Sequence, residues 1–384
     1  MDFSTPQPLQ EDVDRTTARV AERVVPHLQA WYRQGETPRE FFALVGEADG
    51  YGFEFSRGRL TRRPALREAL LTEALARVSG GAAISALAHA DLGMMGLCLF
   101  GGASLQGRYG RDALAGRTVM CLGNTEGRAG SDVAAVGTRA EPVEGGWRLT
   151  GTKSYVTNGA VADLAVVSAV TDPEGPRTGR LSMFLVDLHA PEVARTRLNK
   201  QVWVPSDLTR LELRGVFVPR DHLLGEPGRG LQQVLRIFTG SRVAIAALTL
   251  GTAAGAFDLG VRRALARTVF GRPVADYQAK SFEIAELHAA IESARLMLHK
   301  ACWKVDRGEE FRAEASMAKY LSVAAARRVS AWAADIFGAA SVVREHPIHK
   351  FPMDAWAASL GEGTQDVQKL IIFRELMKQY RQEK

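Results

Sequence analysis

Residues 138–158 read TRAEPVEGGWRLTGTKSYVTN. Glu144-Gly145-Gly146 makes a turn between two segments whose side chains alternate in character, the period of half-buried strands. Just upstream, Val119, Met120, Cys121 and Leu122 form a short apolar run. Downstream, Ala165-Val166-Val167, Met183-Phe184-Leu185-Val186 and Leu211-Glu212-Leu213 predict further strands, with Pro and Gly in their connections. Residues 118–226 are therefore expected to form a small, mostly antiparallel β domain.

Helical patterns lie on both sides of it. Val13, Val20, Val24, Val25 and Leu28 recur at helical spacing before a break at Gly35 to Pro38. A second helix is expected from Pro64, with Thr61 as a candidate cap, through Leu66, Leu70, Leu71, Leu75 and Val78 to Gly80-Gly81. Another runs to Phe100 and a shorter one to Leu114. The first third thus reads as helices. After Gly230 the segments 231–268, 277–306, 311–339 and 364–380 are long and rich in Ala and Leu, with short breaks, the pattern of an antiparallel four-helix bundle. The fold class is α+β: an N-terminal α-helical domain (1–117), a middle β domain (118–226) and a C-terminal four-helix-bundle domain (227–384).

The composition agrees. The chain has 384 residues, 46% hydrophobic and 24% charged, enough for buried cores and unlike a disordered chain. Lys+Arg 49 against Asp+Glu 43 gives a net charge of +6, without the basic run of a nucleic-acid arm, so no nucleic-acid partner is expected. The mild excess suits an acidic ligand, such as a phosphate-bearing cofactor or an acidic carrier protein, or is solvated surface. Cys98, Cys121 and Cys302 are odd in number and far apart, fitting a reducing, cytoplasmic setting and no metal spacing. The N-terminal MDFSTPQPLQEDVDR is polar and does not read as a signal peptide. The most apolar stretch, Ala82 to Phe100, is interrupted by His89 and Asp91 and reads as a core helix, not a membrane span.

Several residues could carry chemistry. The loop Thr125-Glu126-Gly127-Arg128-Ala129-Gly130-Ser131-Asp132 follows an apolar strand, and its backbone N–H groups could hold a phosphate or the polar edge of a flat ring; it reads equally as a surface turn. It is neither a P-loop nor a dinucleotide fingerprint. Thr157-Asn158-Gly159 reads as a turn. Arg267 and Arg272 flank Phe270-Gly271 at a helix end, where they complement the helix dipole or meet a pyrophosphate. Glu362 lies between two glycines just before a helix. It is either a general base able to approach a ligand closely or a first-turn carboxylate favoured by the dipole. His346 and His349 are separated by Pro347 with no third ligand, so no metal site is expected.

In their order and spacing these segments resemble the acyl-CoA dehydrogenase family of flavoproteins. TEGRAGSD at 125–132 is similar to the family's Thr-Glu-Pro-x-Ala-Gly-Ser-Asp loop, and KSYVTNG at 153–159 to its Lys-x-Trp-Ile-Thr-Asn-Gly segment. Val216-Phe217-Val218-Pro219 resembles the Val-x-Val-Pro that closes the β domain. Arg267 to Gly271 with Gln278, Asp335 to Gly338, and Glu362-Gly363-Thr364 resemble the family's Arg-x-x-Phe-Gly…Gln, Gln-x-x-Gly-Gly and Glu-Gly-Thr stretches.

The resemblance implies a homotetramer or homodimer that binds FAD and removes an α-proton and a β-hydride from an acyl thioester. Flavin contacts carry over to Thr125, Ser131, Tyr155 and Thr157. Arg267, Phe270, Gln278, Asp335, Gly338 and Thr364 carry over to its diphosphate and adenosine side. Ser131, Arg242, Gly361 and Gly363 fall at substrate positions. Glu362 falls at a family base position. The alternative, on the first bundle helix, is Ser241 here and cannot serve. The implied partners are an acyl-CoA or acyl-carrier-protein substrate and electron-transfer flavoprotein or a similar acceptor; a flavin oxidase or monooxygenase of the same fold is the alternative chemistry.

Three departures stand out. Gly361 replaces a large residue, which predicts a widened acyl pocket. Asp335 replaces the usual Gln and puts a carboxylate where phosphates are expected, calling for a compensating cation such as Arg267. FSRGRLTRRP replaces the usual Tyr-Gly-Gly-x-Gly loop of the N-terminal domain.

Overall fold

The computed structural model describes residues 5–382. The chain divides into two compact units. One comprises the chain up to Arg63, Ile84–Lys200 and Pro205–Ser241; the other comprises Pro64–Ala83, Gln201–Val204 and the chain from Arg242 onward.

In the first unit, the helix Gln7–Gln34 ends at Gly35, whose left-handed backbone donates its N–H to the carbonyls of Trp31 and Tyr32. The N-terminal region is not wholly helical. β1 (Phe53–Ser56) and β2 (Arg59–Arg62) form an antiparallel hairpin. Its turn, Arg57-Gly58, has positive φ at both residues, as a two-residue turn matching strand twist requires. Polar side chains at Glu54, Ser56, Arg57 and Arg59 hid this hairpin from an apolar count. Thr61, the candidate cap, lies in β2. The helix Ala65–Val78 begins after Pro64 without a side-chain cap.

The sheet of this unit is built from β3 (Met120–Gly123), β4 (Arg139–Val143), β5 (Gly146–Thr157), β6 (Leu164–Val170), β7 (Leu181–Asp187), β8 (Val193–Arg197), β9 (Leu208–Pro219) and β10 (Leu223–Leu224). Its order is β10-β7-β6-β4-β5-β9-β8, with β3 alongside β6. β3 and β4 pair with β6 in parallel, and the other pairs are antiparallel. β6 is buried at every position, whereas β5 and β9 alternate between buried and exposed, so those two strands show one face to water. The β5–β9 register shifts between Lys153 and Val156, and this irregularity holds Tyr155 at φ 57.

The apolar stretch Ala82 to Phe100 lies in one continuous run of helix whose middle, Ala88–Met94, is π-helical. Among the described residues, Gly80–Phe100 and Gly230–Ala266 are long and apolar enough to cross a bilayer. However, both are mostly buried inside the fold, the condition of core helices. His89 is fully buried: Nε2 meets the Ala113 carbonyl at 2.9 Å and Nδ1 accepts the Met120 N–H at 3.0 Å. Those bonds require the neutral ring with its proton on Nε2.

In the second unit, Gln278–Asp306, Arg312–Phe337, Gln365–Gln382 and the latter part of Gly230–Ala266 supply the long helices, with Ala65–Val78 and Lys350–Ala357 added. The core is dominated by small residues, among them Ala246, Ala253, Ala294, Ala318, Ala326 and Ala333. Gly251 and Gly255 face the carbonyls of Glu73 and Arg77, where a Cβ would collide. Ala65–Val78 therefore lies directly on the helix Gly230–Ala266, and Arg77–Asp258 and Arg295–Glu73 ion pairs flank the contact. β11 (Thr268–Val269) and β12 (Arg272–Pro273) form a small hairpin with Phe270-Gly271 at its tip.

Burial lowers the pKa of His89 to about 4. Below the ordinary value of 6.5 the unfolded chain takes up a proton that the native ring refuses. Stability should therefore fall as pH drops from 6.5 to 4, by up to about 3 kcal/mol. Denaturant unfolding across that range should show the loss. His89→Gln, which keeps the donor to Ala113 but does not titrate, should remove this component.

Candidate active site

The loop after β3 is held from below. Lys153, on β5, is 0% exposed, and its Nζ lies 2.7 Å from Glu126 Oε1. Glu126 also accepts the Thr138 hydroxyl at 2.6 Å and the backbone N–H groups of Gly137 and Thr138 at 2.7 and 3.1 Å. Paired backbone bonds between Glu126 and Ala129 close the turn. Burial brings Lys153 down to about 8, with Glu126 opposing. Burial pushes the Glu126 carboxyl up, but Lys153, Thr138 and Gly137 together outweigh it and hold the group below its ordinary range.

What this anchored loop presents is polar and open. Gly127 and Gly130 have nothing within 4 Å of a Cβ position, and Ser131 is exposed. The Thr125 carbonyl accepts the Ser154 N–H at 2.8 Å, which joins the loop to β5 beside Tyr155 and Thr157. Tyr155 is 64% exposed on its bulge. Asn158, buried, donates to the Ser85 carbonyl at 2.8 Å and fixes the end of β5. Thr125, Ser131, Tyr155 and Thr157 are thus brought onto one loop and the strand bonded to it.

In the second unit the Glu362 segment is a left-handed turn. Glu362 has φ 56 and Gly363 φ 89. The helix begins only at Gln365, so Glu362 is not a first-turn carboxylate; Asp366 is. Thr364 accepts the Val367 N–H at 3.4 Å as a cap. Glu362 has charged neighbours in this unit. Burial lowers the pKa of Arg242, Glu362 opposes that shift and Arg312 adds to it. Gly361 lies beside Trp203: a Cβ there would be 3.7 Å from the indole Cη2. The backbone N–H of Trp203 donates to Asp354 Oδ1 at 2.5 Å. The space left by the missing side chain at 361 is therefore bounded by an indole from a distant segment.

Arg267, at the base of the β11–β12 hairpin, places its guanidinium beside Gly338, with Nη1 3.5 Å from a Cβ position. Phe270 at the tip is 99% exposed. Gln278 opens the helix Gln278–Asp306. Asp335 is exposed and makes no ion pair among the described residues; Arg267 is gathered with Gly338, three residues further on.

Lysines 153 and 319 lay outside the sequence-based site. Lys319 follows Ala315 and Ala318 and precedes Ser322 on the buried stripe of its helix, and a charged residue in such a stripe was the available signal.

These groups suit a flavin nucleotide. In the first unit Tyr155 offers an exposed ring, Ser131 and Thr157 offer hydroxyls, and Gly127 and Gly130 leave the loop uncovered by side chains; in the second unit Phe270 offers an exposed ring. Arg267 offers a fork for phosphate.

The chain belongs to the acyl-CoA dehydrogenase family. The family's N-terminal domain matches residues 7–117, its middle domain 121–216 and its C-terminal domain 228–377. The chain is 30% identical over 357 residues to a probable acyl-CoA dehydrogenase of Bacillus subtilis (strain 168), YngJ, across 92% of this chain and 94% of that protein. Butyryl-CoA dehydrogenase from Megasphaera elsdenii superposes with a TM-score of 0.92 at 26% identity, covering 98% of this chain and 100% of its own. PigA, solved with FAD and proline, superposes with a TM-score of 0.93 at 26% identity, covering 98% and 99%. The protein is accordingly an FAD-dependent oxidoreductase acting on a CH–CH bond.

Removing one member of a buried ion pair costs about 3–5 kcal/mol. Lys153→Met and Glu126→Gln should each destabilise by that order in denaturant unfolding. The double variant Lys153→Met/Glu126→Gln should lose less than the sum, because no buried charge is left unpaired.

Proposed function

We propose that this protein dehydrogenates an acyl-CoA between its α and β carbons, with Glu362 as the base that removes the α-proton. The observation that carries this reading is the setting of Glu362. It is a carboxylate in a left-handed turn between two glycines, faced by Arg242. The glycines let a substrate approach the backbone closely. The α-proton passes to a carboxylate oxygen of Glu362. The Glu362 N–H donates to the thioester carbonyl oxygen, a bond that strengthens as negative charge grows there. By the family resemblance, Ser131 of the first unit and Arg242, Gly361 and Gly363 of the second would each meet the thioester, and Trp203 beside Gly361 would set the width available to the acyl group. Thr125, Ser131, Tyr155 and Thr157 would hold the flavin ring, while Arg267, Phe270, Gln278, Asp335, Gly338 and Thr364 would hold the diphosphate and adenosine side. FAD, when bound, supplies the acceptor for the β-hydride.

We assign electron-transfer flavoprotein as the acceptor. A second copy of the chain is the proposed cover for Phe270 and for the exposed apolar side chains of Leu370, Phe373 and Tyr380. A cytoplasmic setting fits the three free cysteines. A second reading keeps the chemistry but places the acyl group on an acidic carrier protein. It is supported by exposed Arg57 and Arg59 at the β1–β2 turn and by Arg111, whose guanidinium lies over the Phe55 ring.

The test is an anaerobic absorbance spectrum with acyl-CoA and acyl-carrier thioesters added in turn. One thioester should bleach the flavin band, and Glu362→Gln should slow bleaching by about 10²–10⁴-fold. Bleaching at the wild-type rate in Glu362→Gln would overturn the assignment. Flavin that no thioester reduces, together with oxygen consumption on NADPH, would place the protein among oxidases or monooxygenases. Within the acyl-CoA series, Trp203→Ala should raise kcat/KM for bulky acyl groups relative to straight chains.

A further inference from the structure

Lys319 stands behind the Glu362 turn. It belongs to the helix Arg312–Phe337, is 0% exposed, and its Nζ donates to the carbonyls of both Gly361 and Gly363. Gln368 Nε2, equally buried, donates to the Glu362 carbonyl at 3.1 Å and the Gly363 carbonyl at 2.9 Å. Three successive carbonyls are thus engaged by buried donors. A non-glycine residue in left-handed backbone costs on the order of 1–3 kcal/mol and persists where its surroundings over-determine it.

We propose that Lys319 is a positioning residue for the base, gripping the peptide on each side of Glu362 and polarising the Glu362 N–H toward the thioester oxygen. In a planar trans peptide the C=O of one residue and the N–H of the next point in opposite directions. The hold on the Gly361 carbonyl therefore sets the direction of the Glu362 N–H. A cation on that carbonyl also draws electron density through the amide, and hydrogen bonds in such a chain strengthen one another. The N–H becomes a stronger donor at the moment enolate charge develops. The charged groups facing Lys319 are Glu362 on the turn and Arg242 on the helix Gly230–Ala266, with Arg312 acting on Arg242. Burial draws Lys319 down to about 7, with Glu362 opposing and Arg242 adding. This inference rests on Glu362 being the base.

The experiment compares holoenzyme of the wild type, Lys319→Met, Lys319→Gln and Glu362→Gln. It uses the acyl-CoA that bleaches the wild-type flavin best. Lys319→Met should lower kcat by about tenfold or more per bound FAD while KM changes less than threefold, because the lost interaction belongs to the transition state. The acidic limb of its kcat–pH profile should move to higher pH, since a cation beside the carboxylate is gone. Lys319→Gln keeps donors without charge. It should restore wild-type hydrogen exchange in peptides covering 359–368 but leave the limb displaced, and it carries the test alone if Lys319→Met does not fold. A kcat that falls only with flavin content, on an unmoved limb, overturns the proposal. Hydrogen exchange at 359–368 that is unchanged in Lys319→Met also overturns it. This readout needs no turnover and decides the matter if no thioester reduces the flavin. Bleaching retained in Glu362→Gln would instead remove the base assignment while exchange still reports on the grip.

Discussion

A lysine ammonium stays buried only where acceptors surround it, and in this chain two loops supply those acceptors. Lys153 stands under the loop after β3 and is met by Glu126; Lys319 stands behind the turn at 361–363 and is met by main-chain oxygens. The dependence is mutual. Each loop keeps an irregular path because leaving it would strand a charge inside the protein, and each lysine is tolerated because the loop stays. The exposed side chains proposed to handle ligand therefore stand on backbone fixed from the buried side. A site of this kind can be open to solvent without being loose.

Much of the architecture was legible in the sequence because periodicity reports burial directly. The strands of 118–226 and the long helices after Gly230 follow from alternation, apolar spacing and glycine breaks. The β1–β2 hairpin was not legible, because a strand pair with polar residues at Glu54, Ser56, Arg57 and Arg59 carries no apolar signature. The gathering of Ala65–Val78 with the C-terminal helices was equally hidden. It depends on Gly251 and Gly255 meeting carbonyls some 180 residues away, and one-dimensional spacing says nothing about such pairs.

The site divides along the same line. Motif-borne residues such as Glu362, Thr125 and Tyr155 were singled out by local pattern and by resemblance. The geometry adds what a motif does not carry: positive φ at Tyr155 and Glu362, and the lysine behind each loop. Gly361, singled out because it departs from the family pattern, has Trp203 as its neighbour, 3.7 Å from where a side chain would begin. That residue is 158 positions away, in a short segment with no pattern of its own.

The seat of Ala65–Val78 against Gly251 and Gly255 also bears on how the chain is made. At about 5–20 residues per second of synthesis, the roughly 170 residues between them take on the order of 10–35 s to emerge from the ribosome. Throughout that interval a nascent helix carrying Leu66, Leu70, Leu71 and Leu75 has no permanent neighbour. The second unit cannot close before translation has passed Gly255. This half of the protein therefore closes well after its first helix is made, by a delay that the spacing of contacts along the message sets.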